Sequence, residues 1–281
     1  MIRRQFAVAI LAVAALVATA SADPRVTVTP KVVRPGEAVL VTVTGAKGTP
    51  KGEAGGAALR FFAAKRGFQA VFAVGLDAKP EAITVAIDGA GKPATVKVKA
   101  VTFPETNVIV EDELANPEKP ERDRIDGDNK AILDAVAGTG APQFVKAFLR
   151  PRGKVTSIFG EWRTFNDGHR SQHLGVDFAG REGAKIAAIN DGTVVLVRDG
   201  FLTGNSVVIA HGGGIASAYY HLSKALVAEG DVVARGATIG LVGATGRATG
   251  PHLHLSVRVP GGFVDPATFL RLKLTPAAPK P

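Results

Sequence analysis

From residue 24 onward, apolar side chains recur at every second position in short runs, with glycine or proline between the runs. Val26–Thr29, Val39–Val43, Ile83–Ile87 and Val96–Val101 all alternate, the last with Lys97 and Lys99 on the outward face. Pro35-Gly36 and Gly89-Ala90-Gly91 stand between such runs. A period of two places successive side chains on opposite faces of a strand, and Gly/Pro turns end each strand after a few residues. A chain written this way buries its apolar face as short antiparallel strands, so the fold class expected is mainly β. At 281 residues and 46% apolar, the chain has material for one large core or two modest ones, which excludes a disordered chain.

The first 22 residues read as a secretory signal. Arg3 and Arg4 precede an apolar stretch from Phe6 to Val17, and Ala20-Ser21-Ala22 is a small-x-small cleavage site that would leave Asp23 at the new N-terminus. The apolar stretch is shorter than the roughly 20 residues a membrane-spanning helix needs. No second stretch of that length follows, so export to the periplasm, cell wall or medium is expected without stable membrane insertion. The chain has no cysteine, which excludes disulfides, a lipid anchor at the cleavage point and thiolate metal ligands. Its net charge is +9, and removal of Arg3 and Arg4 leaves 9 − 2 = +7. After export, an anionic wall polymer or membrane surface is a fitting partner for that charge. The basic residues are dispersed and not interleaved with aromatics, so nucleic acid is not expected.

Five segments follow: a signal at 1–22, a β-sandwich of immunoglobulin-like type at 23–104, a charged connector at 105–145, a second β domain at 146–274 and a proline-rich flexible tail at 275–281. The sandwich rests on alternation alone, since the Cys and Trp core marks of that fold are absent. Within the connector, Glu121–Val136 carries Ile125, Ile132 and Val136 on one helical face. A charged connector of this length predicts two units that fold separately. In the second domain, strands are expected near 184–190, 192–198, 206–210, 216–220, 238–242 and 252–259, as a compact antiparallel sheet.

All six histidines lie between 169 and 254. His173-Leu174-Gly175-Val176-Asp177 has an even spacing that lets both polar side chains face one way, with a glycine where the backbone bends. His252-Leu253-His254 opens an apolar strand, and residues i and i+2 share a face. His221 lies in Tyr219-Tyr220-His221-Leu222-Ser223. Imidazole and carboxylate are proper zinc ligands, and a catalytic zinc uses three protein ligands and an open position. Copper and nickel take the same ligand types. Each pattern alone is common on ordinary surface strands; the coincidence of three points to a metal hydrolase.

The order His173-x-x-x-Asp177, Tyr220-His221-Leu222-Ser223 and Thr249-Gly250-Pro251-His252-Leu253-His254 closely resembles the lysostaphin-type zinc endopeptidases of bacterial cell walls. Gly204–Gly212, Gly230–Gly236 and Val264-Asp265-Pro266 extend the likeness over roughly residues 150–272. The resemblance implies a small antiparallel, barrel-like sheet with an open groove. It implies zinc held by His173, Asp177 and His254, with His221 and His252 as the two non-ligand catalytic histidines. The implied substrate is the stem or cross-link peptide of peptidoglycan. His211 is read as structural and His169 as an exposed loop residue. Two rival functions stand beside this one: a degenerate relative that has lost zinc ligands and only activates other wall hydrolases, against which the five intact positions argue, and a peptidase of ordinary secreted proteins, which shares the chemistry.

Overall fold

The computed structural model describes residues 23–278 apart from 139 and 167, so the expected signal and the end of the tail lie outside the described residues. The fold is mainly β: the described residues form 22 strands and three helices. Near the N-terminus, a four-stranded sheet runs in the order Arg25–Thr29, Ala38–Thr44, Phe68–Ala73, Phe62–Ala63. A five-stranded sheet faces it, in the order Val32–Val33, Ala94–Val98, Ala82–Ile87, Gly52–Ala54, Ala57–Ala58.

Phe68–Ala73 shows no alternation, and its position explains why. Val39, Val41, Ala70 and Phe72 turn toward Val85, Val96 and Val98 of the five-stranded sheet. Ala38, Leu40 and Val71 turn the other way and join the apolar cluster of the C-terminal region, with Phe159, Val257 and Val264. Strands buried on both faces need apolar residues at every position. The first sheet is therefore shared between two cores, and the two halves do not form separate apolar interiors. Backbone bonds tie the seam: Ala73 N–H donates to Pro260 O (2.9 Å) and Asp265 N–H to Gly36 O (2.7 Å). Thr275 N–H donates to the buried Gln69 side chain (2.8 Å), and Ala277 N–H to Ala63 O (2.9 Å), so residues 275–277 lie along the first sheet.

The connector holds a helix at Lys119–Ala135, entered through Pro120, which suits a first helical turn. Ile132 and Val136 pack on Val208, Ala216, Ala218 and Tyr220. Asp128, buried on the same helix, pairs with Arg198 Nε (2.5 Å) and accepts from Phe201 N–H (2.8 Å), which fixes the helix on the C-terminal sheet. Earlier in the connector, Glu105–Val108 pairs in parallel with Trp162–Phe165, itself antiparallel to His169–Gln172.

The largest sheet is antiparallel, with its main path in the order Val155–Ser157, Val176–Ala179, His252–Val259, Ile215–Ala225, Gly204–Gly212, Gly192–Gly200, Val232–Val233. Thr238–Val242 branches off Ile215–Ala225 and carries Lys185–Ala187. The barrel-like expectation is corrected here. The edge strands Val155–Ser157 and Val232–Val233 do not pair with each other, so the sheet stays open.

Candidate metal centre

Three neighbouring strands of the large sheet carry the site. In their register Asp177 lies opposite His254, and His254 opposite Tyr220. Cross-strand partners present their side chains on one face, so the pairing alone brings Asp177 beside His254. Leu253 and Leu255 point into the apolar core, leaving His252 and His254 on the other face. His173 arrives from outside the sheet. Its N–H donates to Glu161 O (2.9 Å) and its carbonyl accepts from Gly160 N–H (2.8 Å). Gly175 is there for close approach: a Cβ on it would lie 2.3 Å from His254 Nε2.

His173 Nε2, His254 Nδ1 and Asp177 Oδ1 converge, at 2.9 Å between the imidazoles, 3.1 Å from His173 to Asp177 and 3.0 Å from His254 to Asp177. All three residues are buried. The outer hydrogen bonds decide where the protons sit. His173 Nδ1–H donates to Ile158 O (2.8 Å), leaving Nε2 as a lone pair. Ser256 Oγ donates to Leu174 O (2.7 Å), so it accepts from His254 Nε2–H (2.9 Å) and leaves His254 Nδ1 as a lone pair. Burial lowers His254 to about 4, keeping its ring neutral. With unprotonated ring nitrogens turned toward it, Asp177 Oδ1 receives no hydrogen bond from either histidine, and its carboxylate is paired instead with Arg163 through Oδ2 (2.6 Å). Three electron-rich atoms thus face one another, an arrangement that a cation resolves. Their spacing is a few tenths of an ångström under the about 3.3 Å edge of a tetrahedron with bonds of about 2.0–2.1 Å to zinc. The donor set fits zinc.

Asp177 is anchored from behind. Arg163 Nη2 donates to its Oδ2 (2.6 Å) and to Ser157 Oγ (2.7 Å), so only Oδ1 is turned to the histidines. Ser157 also bonds Glu161, and Thr106 donates to Glu161 Oε1 (2.8 Å). Burial would raise Glu161, but the Ser157 and Thr106 hydroxyls and Arg163 outweigh it and lower its pKa. The sequence reading assigned no role to Arg163, Ser157 or Ser256. Ser256 was within reach of it, two residues past His254 on the same strand face; Arg163 and Ser157 carry no pattern that a spacing argument uses.

His221 and His252 stand beside the three, with ring centroids 4.9 Å apart. His221 Nδ1–H donates to Thr245 O and His252 Nδ1–H to Gly250 O, each at 2.8 Å. Both therefore present Nε2 as an acceptor. His252 Nε2 is buried with no hydrogen-bond partner and lies 3.7 Å from Asp177 Oδ1. His221 has φ +62°, in the left-handed region that non-glycine residues seldom adopt. Burial, reinforced by the neighbouring His254 and His252, lowers His221 to about 3. Tyr220 stacks on the His254 ring at 5.1 Å and 19°. All five residues named from sequence thus meet in one place.

His211 and His169 do not. His211 is fully buried; its Nδ1–H donates to Asp191 O (2.8 Å), and the Ser217 hydroxyl bridges its Nε2 (2.8 Å) and the Tyr219 hydroxyl (3.0 Å). His169 is exposed on its hairpin, opposite Phe165. A cavity of about 450 Å³ opens onto His173, His221 and His254, with Ile132 and Leu133 of the connector helix on one wall.

Residues 171–266 match the family model described as Peptidase family M23, a span that contains all five site residues. The peptidoglycan DD-endopeptidase ShyA of Vibrio cholerae is 44% identical over 108 residues, 38% of this chain and 25% of ShyA. ShyB of the same organism, also a peptidoglycan DD-endopeptidase, is 47% identical over 93 residues, 33% of this chain and 22% of ShyB. The chain thus matches about a quarter of the length of these curated relatives. A Pseudomonas aeruginosa crystal structure, provisionally assigned to peptidase M23, is 30% identical, with a TM-score of 0.64 over 84% of this chain and 94% of that one. On 30% identity and a shared fold across 94% of that structure, with the family-model match at residues 171–266, the chain belongs to peptidase family M23.

Proposed function

We propose that the protein is an exported, zinc-dependent endopeptidase that hydrolyses peptide cross-links of peptidoglycan. One observation carries the reading: three unprotonated ligand atoms converge in a buried cluster, with two further imidazole acceptors at its side. The names of ShyA and ShyB favour the D,D cross-link as the bond. The N-terminal sheets are proposed to form an immunoglobulin-like sandwich, and residues 1–22 to direct export.

In this reading His173, Asp177 and His254 hold the metal. When bound, zinc lowers the pKa of water to about 7 and polarises the scissile carbonyl. Asp177, paired with and oriented by Arg163, supplies the negative charge of the ligand set. Nε2 of His221 or of His252 takes the proton of the attacking water. The charged ring then donates, from that same Nε2, to the developing oxyanion or the leaving amine. The Nδ1–H bonds to Thr245 O and Gly250 O hold both rings in the tautomer this requires. No glutamate takes part, in contrast with helical His-Glu-x-x-His sites.

Purified sacculi incubated with the zinc-loaded chain, with fragments identified by mass spectrometry, test the proposal. Loss of cross-linked dimers and gain of monomers is expected. Intact cross-links under zinc supplementation would instead favour the activator reading, in which the protein works through other hydrolases.

A further inference from the structure

The cavity over the histidines holds two arginines in different circumstances. Arg163 is occupied by Asp177, Ser157 and Glu161. Arg247 lines the same cavity half-buried, and among the described residues no ion pair or side-chain hydrogen bond holds its guanidinium. Its contact is with a ring: the guanidinium carbon sits 3.9 Å from the centre of Phe165. Stacking of this kind steadies the guanidinium and leaves its edge N–H donors free. Burial, and secondarily Arg163, lower Arg247 to about 10, which leaves it cationic at neutral pH.

The loop holds Arg247 in place relative to the reacting groups. Arg247 N–H donates to Leu202 O (2.9 Å), and two residues earlier Thr245 O accepts from His221 Nδ1–H. Ile132, Leu133 and Phe263 also line the cavity, and no Asp or Glu is among its lining residues. A half-buried cation without a partner costs free energy that an incoming anion recovers. Planar donors favour a carboxylate, which takes two parallel N–H bonds.

We propose that Arg247 is a specificity-determining residue that binds a free carboxylate of the substrate peptide, so that the site selects acidic cross-link peptides over amidated ones. The proposal deepens the peptidase reading and rests on it for the identity of the peptide.

Two probes test it: a D-alanyl–diaminopimelate cross-linked muropeptide dimer and the same dimer with its diaminopimelate carboxylates amidated. Calorimetric binding is measured on the full chain carrying His252→Ala, alone and combined with Arg247→Gln or Arg247→Lys. With Arg247 present, the acid dimer is expected to bind tenfold or more tighter than the amide, the order of a charge-assisted bond. Arg247→Gln removes that difference by weakening the acid dimer alone, and Arg247→Lys restores part of it. Equal binding of the two dimers, equal weakening of both by Arg247→Gln, or no binding of either would overturn the proposal. Hydrolysis of the acid dimer by the unsubstituted chain is read separately. Discrimination in binding without hydrolysis would sink the peptidase reading and leave the Arg247 assignment standing.

Discussion

The N-terminal sheets and the C-terminal sheet are built by the same alternation of apolar and polar residues, yet they bury different things. Among described residues 23–98, Gln69 is the one buried polar side chain, and it serves as a clamp for Thr275. The C-terminal sheet and its loops bury His173, Asp177, Asn190, Ser206, His211, Ser217, His221, His254 and Ser256. Burying polar groups costs free energy unless each is bonded. Each has an arranged partner, and five of them, His173, Asp177, His221, His254 and Ser256, belong to the site. The N-terminal sheets supply apolar support, through a first sheet that belongs to both cores.

The comparison breaks most readily through substitutions that act on one side of it. Phe72→Ala empties the core between the two N-terminal sheets and is expected to cost about 3–5 kcal/mol of stability. Zinc bound per folded molecule should not change. Denaturant unfolding beside zinc analysis checks both, and loss of zinc from folded protein would show that the N-terminal sheets shape the site directly.

His211 gives the next largest effect and distinguishes a structural histidine from the site's own. It is buried and lowered to about 4, against 6.5 for the free residue. Between those values the unfolded chain binds a proton that the folded one refuses, so stability falls as pH falls. The contribution is complete above pH 6.5 and lost by about pH 4, roughly 3 kcal/mol in all at about 1.4 kcal/mol per pH unit. Acid unfolding of His211→Gln should be correspondingly flatter over that window. An unchanged slope would mean that His211 protonates in the folded state.

Arg163→Gln gives the smallest effect. With its anchor gone, Asp177 is free to rotate away from Oδ1 presentation, and zinc affinity should fall about 10–100-fold while the fold persists. Competition with a chromophoric chelator reads this. Unchanged affinity would mean that the strand register alone positions Asp177.

Much of the site was legible because strands make spacing into geometry. His252 and His254 share a face by period two, and the sequence reading placed them so; the strand at 252–259 has the bounds expected for it. The core of the N-terminal half was less legible. Phe68–Ala73 lacks alternation because both of its faces are buried, one against a region nearly two hundred residues away in sequence. The same long-range packing hid the joined cores, which a charged connector had suggested were separate. Arg163 and Arg247 gave no signal because their roles depend on what faces them across strands, Asp177 for one and an open cavity for the other.

The most direct test of the central claim is zinc content per chain, by elemental analysis, for alanine substitutions at all five site residues. His173→Ala, Asp177→Ala and His254→Ala each remove one of the converging atoms and are expected to leave the chain metal-poor and inactive. His221→Ala and His252→Ala remove only a proton acceptor and are expected to keep close to one zinc per chain while activity falls about 10² or more. Loss of zinc from His221→Ala together with its retention by His173→Ala would contradict the division of the site into ligands and proton carriers.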